Sequence, residues 1–510
     1  MLCFLASTIT IIQTVRASPG IITVPGMYPT ISAAIAAASP GDTILVDPNT
    51  YSETLQISKT LTISASSGTV IVKGGGMFTT HYGNRQAVIF VTGASNVVLT
   101  GLDVEGQGLG VPGGTKSYAV LYESSSGTVQ GCTLSPNTIG DMYSTAIAAW
   151  DNSDLTIKGC TVNNFGRIGI YSNNATVNIT GNTIIGQPYV GSGQVNYGIE
   201  IEDYTGYSVA AITNNEIYNC GDSNPSPSWS SCAIIVDTWR YYKQGSLQPS
   251  AVSIKYNNIH DNWEAIEVVA NSQIYAHCNN IRDNLYGVWP DADEKGNYAT
   301  LDAINNWWGS AAGPSGNDVD TDHVTFSPWL SEAYAPTKSV ATATGTGIAS
   351  FTPDVGCIVG LTAVPEPTSP RPAATFPHGL FSFSIVCLTP GETVTLTVTL
   401  PSTVPAGTQW WKYDPSTHAW YTLPTSINGN TVTFALTDGG TGDLDKTVNS
   451  VIVDPGGPGF PEPVGGEWAP IALTAVPTDT LLLLTPWIAM ASLAIAFGAA
   501  VFHRLIKKRL

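Results

Sequence analysis

Carboxylates recur at matched places in a series of short apolar segments between residues 119 and 291. Each segment begins with a small residue, Ala119, Ala146, Gly169, Gly198, Ala233, Ala265 or Gly287, followed by an aliphatic one, Val120, Ile147, Ile170, Ile199, Ile234, Ile266 or Val288. Aligned on the small residue, Tyr171, Glu200, Glu267 and Trp289 share one position, and Glu202, Asp237 and Asp291 share another two residues on. In parallel strands, neighbours lie about 4.8 Å apart and alternate residues of one strand about 6.6 Å apart. Paired carboxyls hydrolyse glycosidic bonds at separations of about 5–5.5 Å or 6.5–9.5 Å, so both spacings suit that chemistry. Glu200, Glu202, Asp237 and Glu267 are therefore the candidate acid–base residues. Tyr171, Trp239, Trp289 and Asp291 are the candidate sugar contacts, and Tyr189, Trp229, Tyr241 and Tyr242 in the longer intervals add rings able to stack on sugars. A merely solvated strand face carries the same residue types, so plain surface and binding without turnover stand beside catalysis as open readings, with catalysis the less favoured.

Such rows need strands that repeat in register. The alternation around each small residue has period two, the mark of a strand with one buried face. A second element, apolar-x-apolar-x-x-(Cys/Asn)-x-apolar, places Cys132, Cys160, Asn182, Asn215, Asn257, Asn279 and Asn305 in another series, with gaps from 22 to 42 residues. That spacing fits coils of constant circumference with loops absorbing the excess. Stacked asparagines at a turn bond backbone above and below, so this series is read as structural.

Composition agrees. Charged residues are 11% of the 510, and Gly, Thr, Ser and Asn abound, which favours an all-β solenoid or sandwich over helices. The net charge of −18 excludes a phosphate backbone as partner, leaving divalent cations and neutral sugars.

The opening MYPTISAAIAAASPGDTILVDPNTYSETLQISKTLTIS combines a short helix capped by Thr30, with Ile31, Ala34, Ile35 and Ala38 on one face, and strands at Thr43–Val46, Leu55–Ile57 and 61–63. It resembles the start of pectin-lyase-like right-handed parallel β-helix proteins, pectin methylesterases among them. INNWWGSAAGPSG resembles the closing coil of β-helix surface proteins, with Trp307 and Trp308 supplying bulk where stacking ends. The resemblance implies a fold shared by lyases, hydrolases, epimerases, adhesins and phage spikes, and fold alone does not assign an activity. The Gln-Asp-Thr and Asp-Phe-Ile-Phe-Gly blocks of pectin methylesterases are absent, which disfavours esterase chemistry.

Beyond residue 335 the chain turns Thr/Val-rich, with period-two stretches such as ETVTLTVTLP that predict a small antiparallel β-sandwich. Gly379-Leu380-Phe381-Ser382-Phe383, Trp411-Lys412-Tyr413 and LTDGGTGDLDKTVNSVIVDPGGPG resemble the choice-of-anchor U domain, a module found before C-terminal surface anchors. In the last stretch Asp438, Asp443, Asp445 and Asp454 alternate with glycines as if in one loop, a candidate calcium site. No CxxC pair is present, and Cys220 with Cys232, and Cys357 with Cys387, are expected as disulfides outside the cytosol.

Both ends carry membrane signals. An apolar run over residues 2–15, then Arg16-Ala17-Ser18-Pro19, reads as a signal peptide. Residues 481–502 are 22 without a charge, about 33 Å of helix and enough to cross a bilayer, and the basic HRLIKKRL that follows stays cytoplasmic. The expected fold class is all-β: signal (1–18), right-handed parallel β-helix solenoid (19–335), antiparallel β-sandwich (338–458), linker (459–480), one transmembrane helix (481–502) and a basic tail (503–510). The expected role is that of an exported, membrane-anchored surface protein with structural, adhesive or glycan-contacting work. A polysaccharide lyase or glycoside hydrolase, and a periplasmic-type metal or substrate binder, are the alternatives.

Overall fold

A computed structural model describes residues 19–461 except 107–114, 139–142, 188–194, 205, 222–229, 238–249, 270–272, 293–295, 297, 300 and 368. The expected signal peptide, transmembrane helix and basic tail, and Tyr189, Trp229, Trp239, Tyr241 and Tyr242, lie outside the described residues. Among the described residues no helix is long and apolar enough to cross a membrane. The chain divides into two units between Tyr334 and Ala335.

The first unit is a solenoid of three parallel sheets, with 12, 9 and 10 strands among the described residues. Each coil contributes one strand to each sheet, as Thr176–Thr180, Thr183–Ile185 and Tyr197–Glu202 do within one turn of the chain. The aliphatic row read from the sequence runs in register: Val120 faces Ile147, then Ile170, Ile199, Ile234, Ile266 and Val288, all fully buried. The small residue before each is required by its neighbour. A Cβ on Gly287 would lie 1.9 Å from the Asp318 carbonyl oxygen, and one on Gly169 would lie 2.5 Å from the carbonyl oxygen of Gly198. Gly287→Ala is accordingly expected to loosen the last coils and cost about 1–3 kcal/mol, the usual penalty of overpacking, read as a lower urea midpoint. An unchanged midpoint would contradict this.

The Cys/Asn series forms a ladder at one corner. The Asn182 backbone N–H donates to Asn215 Oδ1 at 2.9 Å, Asn215 to Asn257, Asn257 to Asn279, and Asn279 to Asn306 at 2.8 Å. The ladder therefore ends on Asn306 and not Asn305. Residues immediately before the rungs (Gly131, Gly159, Gly181, Asn214, Tyr256, Cys278 and Asn305) have φ between 56° and 64°, so Asn305 supplies the left-handed corner. The helix Ile31–Ala37 lies at the first coils with Ile31, Ala34 and Ile35 buried, and Thr30 caps it through the Ala33 N–H at 3.1 Å.

The second unit is an antiparallel sandwich of a five-stranded and a six-stranded sheet around Phe351, Phe381, Phe383, Trp410 and Phe434. Its last strand, Ile452–Pro461, runs past residue 458 into the stretch read as linker. The glycines there mark close packing in place of a turn. A Cβ on Gly456 would meet the Trp410 indole nitrogen at 2.6 Å, and one on Gly459 would meet the Phe376 ring at 2.6 Å.

Candidate functional site

Side chains on the outer surface of the third sheet fall into three rows, because each coil repeats the register of the last. The row before the small residue contains Tyr118, Tyr197, Cys232, Glu264 and Tyr286. The next contains Tyr171, Glu200, Ile235, Glu267 and Trp289, and the third Asn173, Glu202, Asp237, Val269 and Asp291. Over the earlier coils these rows form an apolar cluster separate from the solenoid core, with Tyr118, Leu121, Trp150, Ile168, Tyr171 and Tyr197. Over the later coils they become acidic.

This outward face is largely buried. Glu200 is 5% exposed and Glu264 and Glu267 are each 6% exposed, whereas Glu202, Asp237 and Trp289 are half-buried and Asp291 is exposed. Burial sets their chemistry, since a carboxylate in low dielectric is disfavoured against its neutral acid. Desolvation, opposed by the Arg167 guanidinium and reinforced by Glu202 and Asp237, pushes Glu200 up to about 8. Glu267 is likewise pushed up to about 8, by burial first and then by Asp291 and Asp237. Burial and Glu267 hold Glu264 well above the usual carboxylate range. Glu202 is also raised by burial, against hydrogen bonding from the Tyr171 hydroxyl.

Hydrogen bonds fix this geometry unevenly. Tyr171 donates to Glu202 Oε2, which also receives Asn173 Nδ2 at 3.1 Å. Ser230 Oγ lies 3.0 Å from Glu264 Oε2 and 3.4 Å from Glu267 Oε2. Trp289 is pinned by its Nε1, which donates to the Asn317 carbonyl at 2.8 Å. Arg167 lies 5.7 Å over the Tyr197 ring. Among the described residues, Glu200 Oε2 and Glu264 Oε1 are buried without a hydrogen-bond partner. Neutral carboxyls beside half-exposed ones can donate as well as accept, and can hold a proton near neutral pH.

The structure brings Tyr171, Glu200, Glu202, Asp237, Glu267, Trp289 and Asp291 onto one face in the rows the alignment predicts, while Trp239 lies outside the described residues. Glu264 was missed, and Arg167 falls in no recognisable motif. Glu264 was legible one position before the small residue Ala265, but Arg167 sits where the earlier alignment offers no acidic neighbour to flag it.

The four aspartates of the sandwich do not converge as a cation site. Both oxygens of Asp438 accept backbone N–H groups, from Asn449 at 3.1 Å and from Gly391 and Ser450 at 2.8 and 3.0 Å. Asp443 accepts from Gly439 and Val453, Asp445 from Thr447, and Asp454 is on a strand, paired with Lys412. Among the described residues no group of three or more metal-ligating side chains is found. Neither expected disulfide forms. Cys220 belongs to the solenoid core and Cys232 to the apolar cluster outside the third sheet, and both keep their thiols. Cys357 is a buried thiol, and Cys387, which is disulfide-bonded, is not joined to it.

The family described as a right-handed β-helix region matches residues 44–210 and 145–304, together just over half of the chain. The chain belongs to the right-handed β-helix family. Solved β-helices similar to this one include the pectate lyase Pel9A, 13% identical over 62% of this chain and 82% of that one, with a TM-score of 0.38. Pectin methylesterase PemA from Erwinia chrysanthemi is 15% identical over 60% and 94%, at 0.32, and the periplasmic alginate epimerase AlgG 12% identical over 57% and 65%, at 0.30. No curated protein matches this chain in sequence.

Proposed function

We propose that this β-helix is an exported surface protein that contacts neutral glycans along the edge of the third sheet where Glu202, Asp237, Trp289 and Asp291 reach solvent. The observation that carries the reading is a half-buried, pinned indole in register with carboxyls stepped coil by coil. A sugar offers an apolar ring face and hydroxyls that both donate and accept. Trp289 suits the first, and the Glu202, Asp237 and Asp291 carboxyls at the solvent edge suit the second. An acidic sugar would bring its own carboxylate against this row, so neutral glycans are favoured. The uncharged run at 481–502 and the basic tail support anchorage with the β-helix outside the cell.

Trp289→Ala is expected to weaken binding to a neutral polysaccharide by about tenfold or more, as truncation of a buried aromatic anchor does. Trp289→Phe should retain most of it. Affinity electrophoresis in gels containing the polysaccharide reads both, and equal retardation of wild type and Trp289→Ala would sink the reading.

One observation favours hydrolysis as a second reading: Glu200 and Glu202 project from one strand into different environments, one neutral near pH 7 and one at the solvent edge, the asymmetry an acid–base pair needs. Turnover abolished by Glu200→Gln with binding retained would establish it.

A further inference from the structure

In the sandwich, strand Gln409–Asp414 runs antiparallel beside the last strand, Ile452–Pro461, with Lys412 opposite Gly456. Lys412 and Asp454 both project into the space between the sheets. Their side chains are 0% exposed, and Lys412 Nζ lies 2.7 Å from Asp454 Oδ1. Nζ also donates to the Gly442 carbonyl, and Trp410 Nε1 lies 3.4 Å from the same Asp454 oxygen. The other oxygen, Asp454 Oδ2, is buried without a hydrogen-bond partner among the described residues. Trp410 and Phe434 stack at 4.3 Å, and Phe381 and Phe383 join them in the core, so the pair sits in an aromatic interior.

A lone ion pair is poorly suited to such a place. Desolvation of two charges opposes their attraction, and an orphaned carboxyl oxygen adds to the cost. The neutral forms fit better: burial lowers Lys412 and raises Asp454, both toward amine and acid. A neutral amine held against a neutral carboxyl, away from bulk water, is the reactant pair of amide formation.

We propose that Lys412 and Asp454 become joined by an intramolecular isopeptide bond that ties the last strand of the sandwich to its neighbour. The Lys412 Nζ lone pair attacks Asp454 Cγ, a C–N bond forms, and the C–O bond to the carboxyl hydroxyl breaks. That hydroxyl leaves as water with one proton taken from Nζ, so amine and acid become amide and water with no oxidant or cofactor. Asp443, itself 1% exposed and with its two oxygens accepting the Gly439 and Val453 N–H groups, acts electrostatically on Lys412. Burial pushes it up to about 6, where it exchanges protons readily near neutral pH. The product removes both charges from the core. This cross-link is independent of any glycan at the β-helix.

Peptide mass mapping of the purified full-length chain in detergent tests it. The expected result is a branched peptide containing Lys412 and Asp454, lighter than the two separate peptides by one water, with no cleavage by trypsin after Lys412. Asp454→Ala should abolish the branched peptide. Recovery of Lys412 and Asp454 in separate linear peptides from natively folded wild-type chain would overturn the proposal.

Discussion

Replacing Asn257 by alanine lowers the stability of the β-helix by about 3–5 kcal/mol, because several buried polar groups lose their partners together. Asn257 is fully buried. Its Oδ1 accepts the Asn215 backbone N–H at 2.9 Å and Asn215 Nδ2 at 3.0 Å. Its Nδ2 reaches the carbonyls of Ile212 at 2.8 Å and Lys255 at 3.0 Å, and Asn279 Oδ1 at 2.9 Å. Alanine can replace none of these, and the coils above and below lie too close for their orphaned groups to be solvated. Asn257→Asp keeps the acceptor and loses the donors, so an intermediate loss is expected. Urea titration followed by circular dichroism measures the series, and a loss below about 1 kcal/mol for Asn257→Ala would show that the ladder contributes far less than a buried hydrogen-bonded group should.

Raising the pH from 5 to 8.5 weakens the β-helix, the reverse of a protein whose carboxylates are salt-bridged. Glu200 and Glu267 are pushed up to about 8 in the folded chain, by burial in each case, from an ordinary value of 4.5. The folded state therefore holds protons that the unfolded state has released. Stability is full below the unfolded value and is lost progressively as pH rises toward and through about 8. Since a tenfold displacement of a proton equilibrium is worth about 1.4 kcal/mol, even one of these glutamates makes an effect on the order of 3–5 kcal/mol. The two interact, so their contributions do not simply add. Glu200→Gln and Glu267→Gln should each flatten the profile and raise the urea midpoint at pH 8.5. A β-helix equally stable at pH 5 and 8.5, or more stable at 8.5, would contradict the buried placement of these acids.

The rows of the third sheet were legible because a parallel solenoid converts sequence alignment into spatial stacking: Glu200 facing Tyr171, and Glu202 facing Asp237, follow from one small residue per strand. Burial was not legible, since it depends on what overlies a face and period two reports only alternation. One corner ladder could be read from its asparagines, with an error of one residue where two stand together at Asn305 and Asn306. Two further ladders escaped notice. One runs through Cys220, Asn262 and Asn284, and the other uses the hydroxyls of Ser125, Ser153, Ser208 and Ser250, whose mixed or small side chains form no visible motif. In the sandwich, Asp and Gly together suggested a loop. Asp454 instead faces a buried lysine that lies far from it in sequence, a pairing that only the antiparallel register creates.

The most direct test of the central claim is a screen of the full-length chain in detergent against immobilised neutral and acidic glycans, run beside Trp289→Ala and Asp237→Asn. The account predicts retention on a neutral glycan that both substitutions reduce, with weak or no retention on uronate polymers. Preference for acidic glycans, or neutral-glycan binding indifferent to Trp289 and Asp237, would contradict it.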